Sequence, residues 1–258
     1  MEFFLISAAV GLIVGVLSGL LGIGGGTIIV PTFRLGFGMS AIQATATSLF
    51  TIVPTSLVGC IKHIRNHTCN VTVGFAAGLA GACTSPLGVY LASLSPSWTI
   101  MLVAAMIIGY SAFNMFRRAF RPKKTGLRKQ ETEPLSAKRQ AFTGAAIGLG
   151  AGIASGYVGV GGGFIMVPLF ITLVGLPMVE SSGTSLIAVT ILAIPGAITQ
   201  IMLGNVDIVA GIAMAVGSIP GAYLGAMMVK RVPEKVLTVL FGCILMVAAV
   251  ALVLNEVA

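Results

Sequence analysis

Charged side chains are scarce in this sequence, and that scarcity excludes most classes of soluble protein. Only 9% of the 258 residues are Asp, Glu, Lys or Arg, whereas about 25% is usual in soluble domains. Hydrophobic residues make up 57% of the chain, and its mean hydropathy is +1.05. No stretch outside the apolar runs is long enough for a soluble catalytic domain. The composition therefore predicts a protein that lies within a membrane.

The residue types that build catalytic and metal sites are also few. The chain has only two histidines, four positions apart, and four cysteines without a Cys-x-x-Cys spacing. It contains no His-Glu-x-x-His sequence, no Walker-type sequence and no Ser-His or paired-Asp arrangement within its apolar runs. Such patterns are what zinc proteases, ATPases and hydrolases require. We therefore predict no enzyme activity, no metal and no cofactor, and we interpret the cysteines as small packing residues.

Apolar runs with about the length of a membrane-crossing helix recur along the whole chain. Two shorter runs, 25–37 and 162–175, each follow three consecutive glycines. The first long run has no basic segment before it, so we interpret it as a retained helix and not a signal peptide. The predicted fold class is an all-α polytopic membrane protein. Its long runs lie near 3–22, 41–61, 71–92, 99–118, 140–159, 183–203, 206–228 and 236–254.

An element built on three glycines occurs twice in the sequence. Residues 19–33 read GLLGIGGGTIIVPTF and residues 156–170 read GYVGVGGGFIMVPLF, at an offset of 137 positions. This internal repeat predicts two homologous transmembrane halves, 1–116 and 140–258, joined by a linker over 117–139. Further residues match at the same offset: Gly15 and Gly152, Ser18 and Ser155, Thr47-Ser48-Leu49 and Thr184-Ser185-Leu186, Gly59 and Gly196, Pro96 and Pro233.

The distribution of basic residues predicts how the two halves face. Nine of the 15 Lys and Arg residues lie between Arg117 and Arg139, and basic connections of this kind remain in the cytoplasm. We prefer this meaning to a lipid or nucleic-acid patch, and we predict no nucleic-acid partner. If each half makes an odd number of passes, the halves are inverted repeats with both termini outside. That arrangement places Lys62–Arg65 and Lys230–Lys235 on the cytoplasmic side as well.

A rival topology remains open at this stage. If residues 1–33 form a single broken crossing, each half makes an even number of passes, and Lys230 and Arg231 lie outside. Two Asn-x-Thr sequences, at Asn66 and Asn70, match the glycosylation pattern, which is usable only on a luminal face. We interpret both as chance matches.

The glycine triplets indicate a break within each membrane run. Non-helical backbone survives in hydrocarbon only where protein or a water-filled cavity covers it. A half-helix that starts after the break presents unpaired N–H groups and a positive dipole end, which suit an anion. Paired breaks in two halves are typical of a transporter binding site, each half then being a re-entrant helix pair plus three spanning helices. The alternative is that the glycines only allow close helix packing. Small-xxx-small spacing is present at Gly15, Gly19, Gly22 and Gly26, and again at Gly148, Gly152 and Gly156.

The candidate substrate-binding residues combine the breaks with the repeated hydroxyl pairs. Hydroxyls without a fixed cation suit a weakly held oxyanion, although hydroxyls in apolar helices also bond to the preceding turn. His63, and Gln200 at the matching place in the second half, are candidates for proton or anion coupling; a uniport or a substrate that carries its own proton is equally open. The substrate-binding candidates are Gly24, Gly25, Gly26, Thr27, Thr47, Ser48, Gly161, Gly162, Gly163, Thr184 and Ser185.

The duplicated Gly-x-Gly-Gly-Gly-x-x-x-x-Pro element, with a downstream Thr-Ser-Leu in each half, resembles the sulfite exporter TauE/SafE family over essentially the whole chain. The resemblance implies a secondary transporter in a prokaryotic inner membrane. Its expected substrate is a small sulfur-containing anion, such as sulfite, sulfoacetate or a similar sulfonate, exported by alternating access. An importer or channel-like permease for another small anion is the alternative, and an accessory subunit would lack a polar pocket between the breaks. A monomer or a homodimer is expected.

Overall fold

The computed structural model describes residues 2–120 and 136–257, and all the regular elements in these two ranges are helices. Eight of them are long and apolar enough to cross a membrane, which confirms the predicted all-α polytopic class. The helices are α1 (Glu2–Leu21), α2 (Gly26–Pro31), α3 (Ala41–Arg65), α4 (Val71–Ser93), α5 (Ser97–Ala119), α6 (Ala137–Val158), α7 (Gly163–Leu169), α8 (Met178–Met202), α9 (Ile208–Met228) and α10 (Glu234–Val257).

The two short helices continue as wider turns before the next long helix begins. A π-helical segment, Thr32–Gly36, follows α2, and a second one, Phe170–Val174, follows α7. A short 3-10 turn, Val229–Arg231, extends α9. Even with its extension, neither α2 nor α7 has the roughly 20 residues that a full crossing requires.

Helix α8 begins at Met178, five residues before the expected apolar run at 183. The polar residues in its first turns are satisfied locally, because Ser181 donates to the Leu176 carbonyl and Ser182 to the Met178 carbonyl. The Glu234 carboxylate of α10 also accepts the Met178 amide at 2.9 Å. A hydropathy pattern does not reveal such capping, so the prediction from hydropathy made this helix too short.

Helices α3 and α8 form the centre of the bundle and run antiparallel. Gly183, near the start of α8, lies against the ring of His63 near the end of α3. At the other end Ala44 and Ala197 share one apolar cluster. More of α3 and α8 is buried than of any other membrane-length helix in the described ranges.

Each half supplies one helix that packs along the other half. In α1, Gly11, Gly15 and Gly19 lie against successive turns of α9, so the two helices run parallel. Helix α6 packs along α4 in the same way, with Gly148 and Gly156 against its backbone. Helices α5 and α10 pair antiparallel at the side of the bundle and share one apolar core.

Basic side chains gather at the end of the bundle where α3, α5 and α9 finish. The Lys62 ammonium lies 4.8 Å from the ring centroid of Tyr223 in α9, and the Asn66 side chain donates to the Ala226 carbonyl. Asn70 caps α4 and also contacts Gln140, so the asparagines of both Asn-x-Thr sequences form hydrogen bonds within the fold. Most of the predicted 117–139 linker lies outside the described residues.

Candidate functional site

The chain breaks at both glycine triplets, as predicted. Gly24 and Gly25 have φ of 82° and 87°, and Gly161 and Gly162 have φ of 82° and 73°. This left-handed region costs other residues roughly 1–2 kcal/mol. The Gly25 carbonyl then accepts the amides of Ile28 and Ile29, and the Gly162 carbonyl accepts those of Ile165 and Met166. Glycine is therefore required at these positions by the backbone itself.

The two breaks lie directly against each other in the middle of the bundle. A β-carbon built on Gly26 would lie 2.5 Å from the Cα of Val160, and one on Gly163 would lie 2.5 Å from the Gly22 carbonyl oxygen. Ile52 of α3 and Val189 of α8 flank both breaks. Both segments are buried. The site therefore forms from the two halves together and from neither alone.

The helical glycines fulfil the packing role that was the alternative interpretation. A β-carbon on Gly15 or Gly19 would overlap the backbone of α9, and one on Gly152 would overlap the backbone of α4. These residues have ordinary helical φ, unlike Gly24, Gly25, Gly161 and Gly162 of the breaks. The packing interpretation therefore holds for the helical glycines, while the substrate-binding role of the breaks stays a prediction.

The predicted threonines, Thr47 and Thr184, connect the two halves by hydrogen bonds. The Thr47 hydroxyl accepts the Asp207 amide at 3.0 Å, and the Thr184 hydroxyl accepts the Asn70 amide at 2.8 Å. Asp207 and Asn70 are the residues that cap α9 and α4. Each threonine therefore fixes the start of a helix next to the central pair.

The two matching serines differ in their contacts. Ser185 donates to the Gly22 carbonyl at 2.6 Å, so it holds the first break. The Ser48 hydroxyl is fully buried and has no hydrogen-bond partner within the described residues. Ser48 lies between Thr45, which contacts Gly159, and Ile52, which contacts Gly161. Residues at this spacing share one helix face, so Ser48 faces the second break.

Three more buried hydroxyls near the breaks lack partners in the described chain, and only one of them, that of Thr27, was predicted from sequence to lie in the site. Thr27 stands in the first turn of α2, and Ser18 lies beside Gly25. Ser155, the counterpart of Ser18, accepts the Gly159 amide through its carbonyl while its hydroxyl stays unbonded. A buried unsatisfied polar group costs about 1–3 kcal/mol and requires an explanation. The exact repetition of Ser18 as Ser155 is the signal in the sequence from which these two serines could have been found.

The two coupling candidates lie at opposite ends of the central helix pair. The His63 ring is buried, with Nε2 2.8 Å from the Gly19 carbonyl and Nδ1 2.8 Å from the Thr68 hydroxyl. The Gln200 side chain accepts from Asn205 at 2.8 Å. The structure therefore does not bring His63 and Gln200 together, although each contacts the residue five positions further along the chain.

Other chemistry-bearing residues do not form a cluster. Across residues 2–120 and 136–257, no three His, Cys, Asp or Glu side chains are grouped as metal ligands would be. All four cysteines are unpaired. Burial, with a smaller contribution from the Glu180 carboxylate, raises the pKa of the Cys69 thiol to about 11, so this thiol stays protonated at neutral pH.

Two cavities adjoin the short helices. One, of about 300 Å³, lies between α2 and α10 and is lined by Thr27, Thr32 and Cys243 among apolar residues. The other, of about 930 Å³, opens at the basic end of the bundle between α5, α7 and α10. Each cavity borders one of the two helices that start at a glycine break.

Comparison with known proteins settles the family. The profile of the family described as sulfite exporter TauE/SafE matches residues 7–252. The chain belongs to the TauE/SafE family. This TauE/SafE protein is therefore a multi-pass membrane transporter, and its family implies a small anion as substrate.

Curated relatives of this TauE/SafE protein carry general names. The probable membrane transporter protein YdhB of Bacillus subtilis is 31% identical over 87% of this chain and 90% of its own length. YunE of the same organism, also a probable membrane transporter protein, is 26% identical over 97% of both chains. A probable membrane transporter protein of Haemophilus influenzae is 27% identical over 98% of this chain and 99% of its own. No solved structure gives a significant match.

Proposed function

We propose that this transporter exports small sulfur-containing anions, such as sulfite or a sulfonate, by alternating access. The observation that carries the proposal is the contact between the two glycine breaks, beside buried hydroxyls without partners. Hydroxyl donors and close backbone suit an oxyanion that must be bound loosely and released. We assign no catalytic residue, because the side chains near the breaks are hydroxyls and aliphatic groups.

The substrate site of the proposal is formed by both breaks. The glycine backbone of 24–26 and 161–163 allows the anion to approach closely, and Ser48 and Thr27 donate to it. Ser185 holds the first break, while Thr47 and Thr184 position the adjacent helix starts. In the structure the breaks touch, so the anion separates them when it binds.

The directions of the helices support inverted halves. Helices α3 and α8 occupy the same place in the two halves and run antiparallel. Helices α1 and α6 also occupy the same place in the two halves, and each runs parallel to a helix of the other half, α1 to α9 and α6 to α4. The basic ends of α3, α5 and α9 lie together, and the positive-inside rule assigns this end to the cytoplasm. In a bacterial inner membrane both termini are then outside, with the repeats spanning 1–116 and 140–258.

The membrane potential can drive the proposed export without a carboxylate relay. Among the described carboxylates, Glu180, Asp207 and Glu234 all stand at helix starts and not beside the breaks. A negative interior favours the exit of an anion by about 2.3 kcal/mol per charge per 100 mV. His63 is the residue through which a proton would be coupled.

Flux in proteoliposomes tests the proposal. Labelled sulfite, sulfoacetate and sulfate are supplied with and without imposed voltage and pH gradients. We expect saturable flux of a sulfur anion that is abolished in Gly162→Val, because the side chain enters a left-handed backbone and crowds Ala151. Gly175→Val is the matched control, since Gly175 has φ of 84° but no neighbour within 4 Å.

The outcomes separate the alternatives. Flux that does not saturate indicates a channel-like permease, and accumulation against the membrane potential indicates an importer. No flux of any sulfur anion through folded protein contradicts the proposed substrate class. Equal loss of flux in Gly162→Val and Gly175→Val shows that a strained backbone at any glycine of positive φ abolishes flux, so the loss is not specific to the break.

A further inference from the structure

The larger cavity is bordered by more basic than acidic side chains. Arg117 and Arg118 of α5 and Lys235 of α10 line it, together with the single carboxylate of Glu234. One Glu234 oxygen already accepts the Met178 amide. The cavity has a volume of about 930 Å³. Its lining residues carry two guanidinium groups and one ammonium group but only one carboxylate, and that carboxylate also caps α8.

We infer that this cavity is an anion-collecting vestibule, where the transported oxyanion binds before it reaches the glycine breaks. The inference rests on the proposed function, from which it takes the identity of the anion. A cleft lined by charges of one sign concentrates counter-ions and raises their association rate. Arginine adds planar donors that match an oxyanion with two parallel hydrogen bonds.

The inner wall of the vestibule belongs to the helix that leads to the second break. Pro168 of α7 and Thr172 of its π-helical extension line the cavity. Helix α7 starts at Gly163, directly after the break. Pro168 lies five positions after Gly163, which is about 7.5 Å along the helix axis. An anion in the vestibule is thus within roughly one and a half turns of the break.

The two cavities differ in the charge of their lining residues. The cavity beside α2 is smaller, about 300 Å³, and its lining is apolar apart from Thr27, Thr32 and Cys243. None of its lining residues is charged. A cationic vestibule at the linker end of the bundle is expected to favour loading of the anion from that side.

Neutralising the basic residues tests the vestibule. Arg117→Gln with Arg118→Gln, and separately Lys235→Gln, are compared with the wild type in liposomes of purely zwitterionic lipid. We expect the double variant to raise KM for sulfoacetate added on the linker side about ten-fold, with maximal flux unchanged. KM for sulfoacetate added on the opposite side is expected to stay the same.

Lys230→Gln is the matched control. It removes one positive charge from the same end of the bundle, but Lys230 does not line the cavity. An equal rise of KM in Lys230→Gln shows a general surface-charge effect and overturns the inference. Unchanged KM in the arginine variants, with normal wild-type flux, also overturns it and leaves the proposed function intact. Absence of wild-type flux would instead contradict the proposed function.

A labelling experiment gives an answer that does not depend on flux. Asn114 lines the vestibule, and Asn114→Cys is made in a background without the four native cysteines. We expect a sulfonate-bearing thiol reagent to label it about ten-fold faster than a cationic one, with protection by sulfoacetate. Equal rates without protection overturn the inference. Protection by anionic lipid but not by sulfoacetate identifies a lipid-headgroup site instead, and this too overturns it.

Discussion

At the scale of single residues, hydroxyls that look alike in the sequence have different roles. Thr47 and Ser48 are neighbours, and both are buried in α3. The Thr47 hydroxyl accepts a backbone amide from α9, whereas the Ser48 hydroxyl has no partner in the described ranges. The Thr47 hydroxyl therefore stabilises the fold, and the Ser48 hydroxyl is the one that we propose as a donor to the substrate.

Substitution separates these two roles. We expect Ser48→Ala to leave thermal stability unchanged, because no hydrogen bond is lost, and to raise KM several-fold. We expect Thr47→Val to lower stability by about 1–3 kcal/mol, since the Asp207 amide loses its acceptor. Melting in detergent and flux in liposomes measure the two effects. A wild-type KM in Ser48→Ala would remove this serine from the site.

His63 is held so that both of its protonation states satisfy their hydrogen bonds. In the neutral ring, Nε2–H donates to the Gly19 carbonyl, and Nδ1 accepts a hydrogen bond from the Thr68 hydroxyl. When the ring is charged, Nδ1–H donates to the Thr68 oxygen, whose own hydrogen turns to the His63 carbonyl 3.2 Å away. Protonation thus changes the charge at this position without breaking the network.

His63→Gln tests this residue as the coupling group. Glutamine is the residue at the matching position 200, so we expect the variant to fold and to transport under an imposed voltage. We expect it to lose any acceleration by a pH gradient, because glutamine does not titrate. Flux under each gradient alone is the measurement. A variant that keeps the full response to a pH gradient would exclude His63 from coupling.

At the scale of elements, glycines set the distance between paired helices. In hydrocarbon, close backbone approach replaces the hydrophobic effect as the source of helix association. A β-carbon on Gly156 of α6 would overlap the Ser85 carbonyl of α4, and one on Gly217 of α9 would overlap the Ala8 carbonyl of α1. The two interfaces are equivalent, and each joins a helix of the first half to a helix of the second.

Single methyl groups are expected to disrupt these interfaces. We predict that Gly156→Ala and Gly217→Ala each lower stability by about 1–3 kcal/mol through overpacking. Gly150→Ala is the control, because Gly150 lies in α6 with no heavy atom within 4 Å of the added carbon. The fraction of monodisperse protein after heating measures the difference. Equal stability of Gly150→Ala and Gly156→Ala would contradict the packing role.

At the scale of the whole molecule, the sequence predicted the elements better than their partners. The eight long helices and both breaks follow from local patterns of apolar residues and glycine. The contacts Thr47–Asp207 and Thr184–Asn70 join residues more than 100 positions apart, and local patterns contain no information on such pairs. The cavity lined by Arg117 and Lys235 depends on how α5 and α10 pair, so it too was invisible in the sequence.

The pairing of α1 with α9 has a consequence for the synthesis of the protein. Helix α1 ends at Leu21, and α9, which covers its glycine face, begins only at Ile208. At about 5–20 residues per second, translation of the intervening ~190 residues takes on the order of 10–40 s. During that time α1 stands in the lipid with its close-packing face uncovered. Biogenesis of this transporter therefore includes an interval in which α1 is inserted without its partner, and the synthesis of α9 determines when that interval ends.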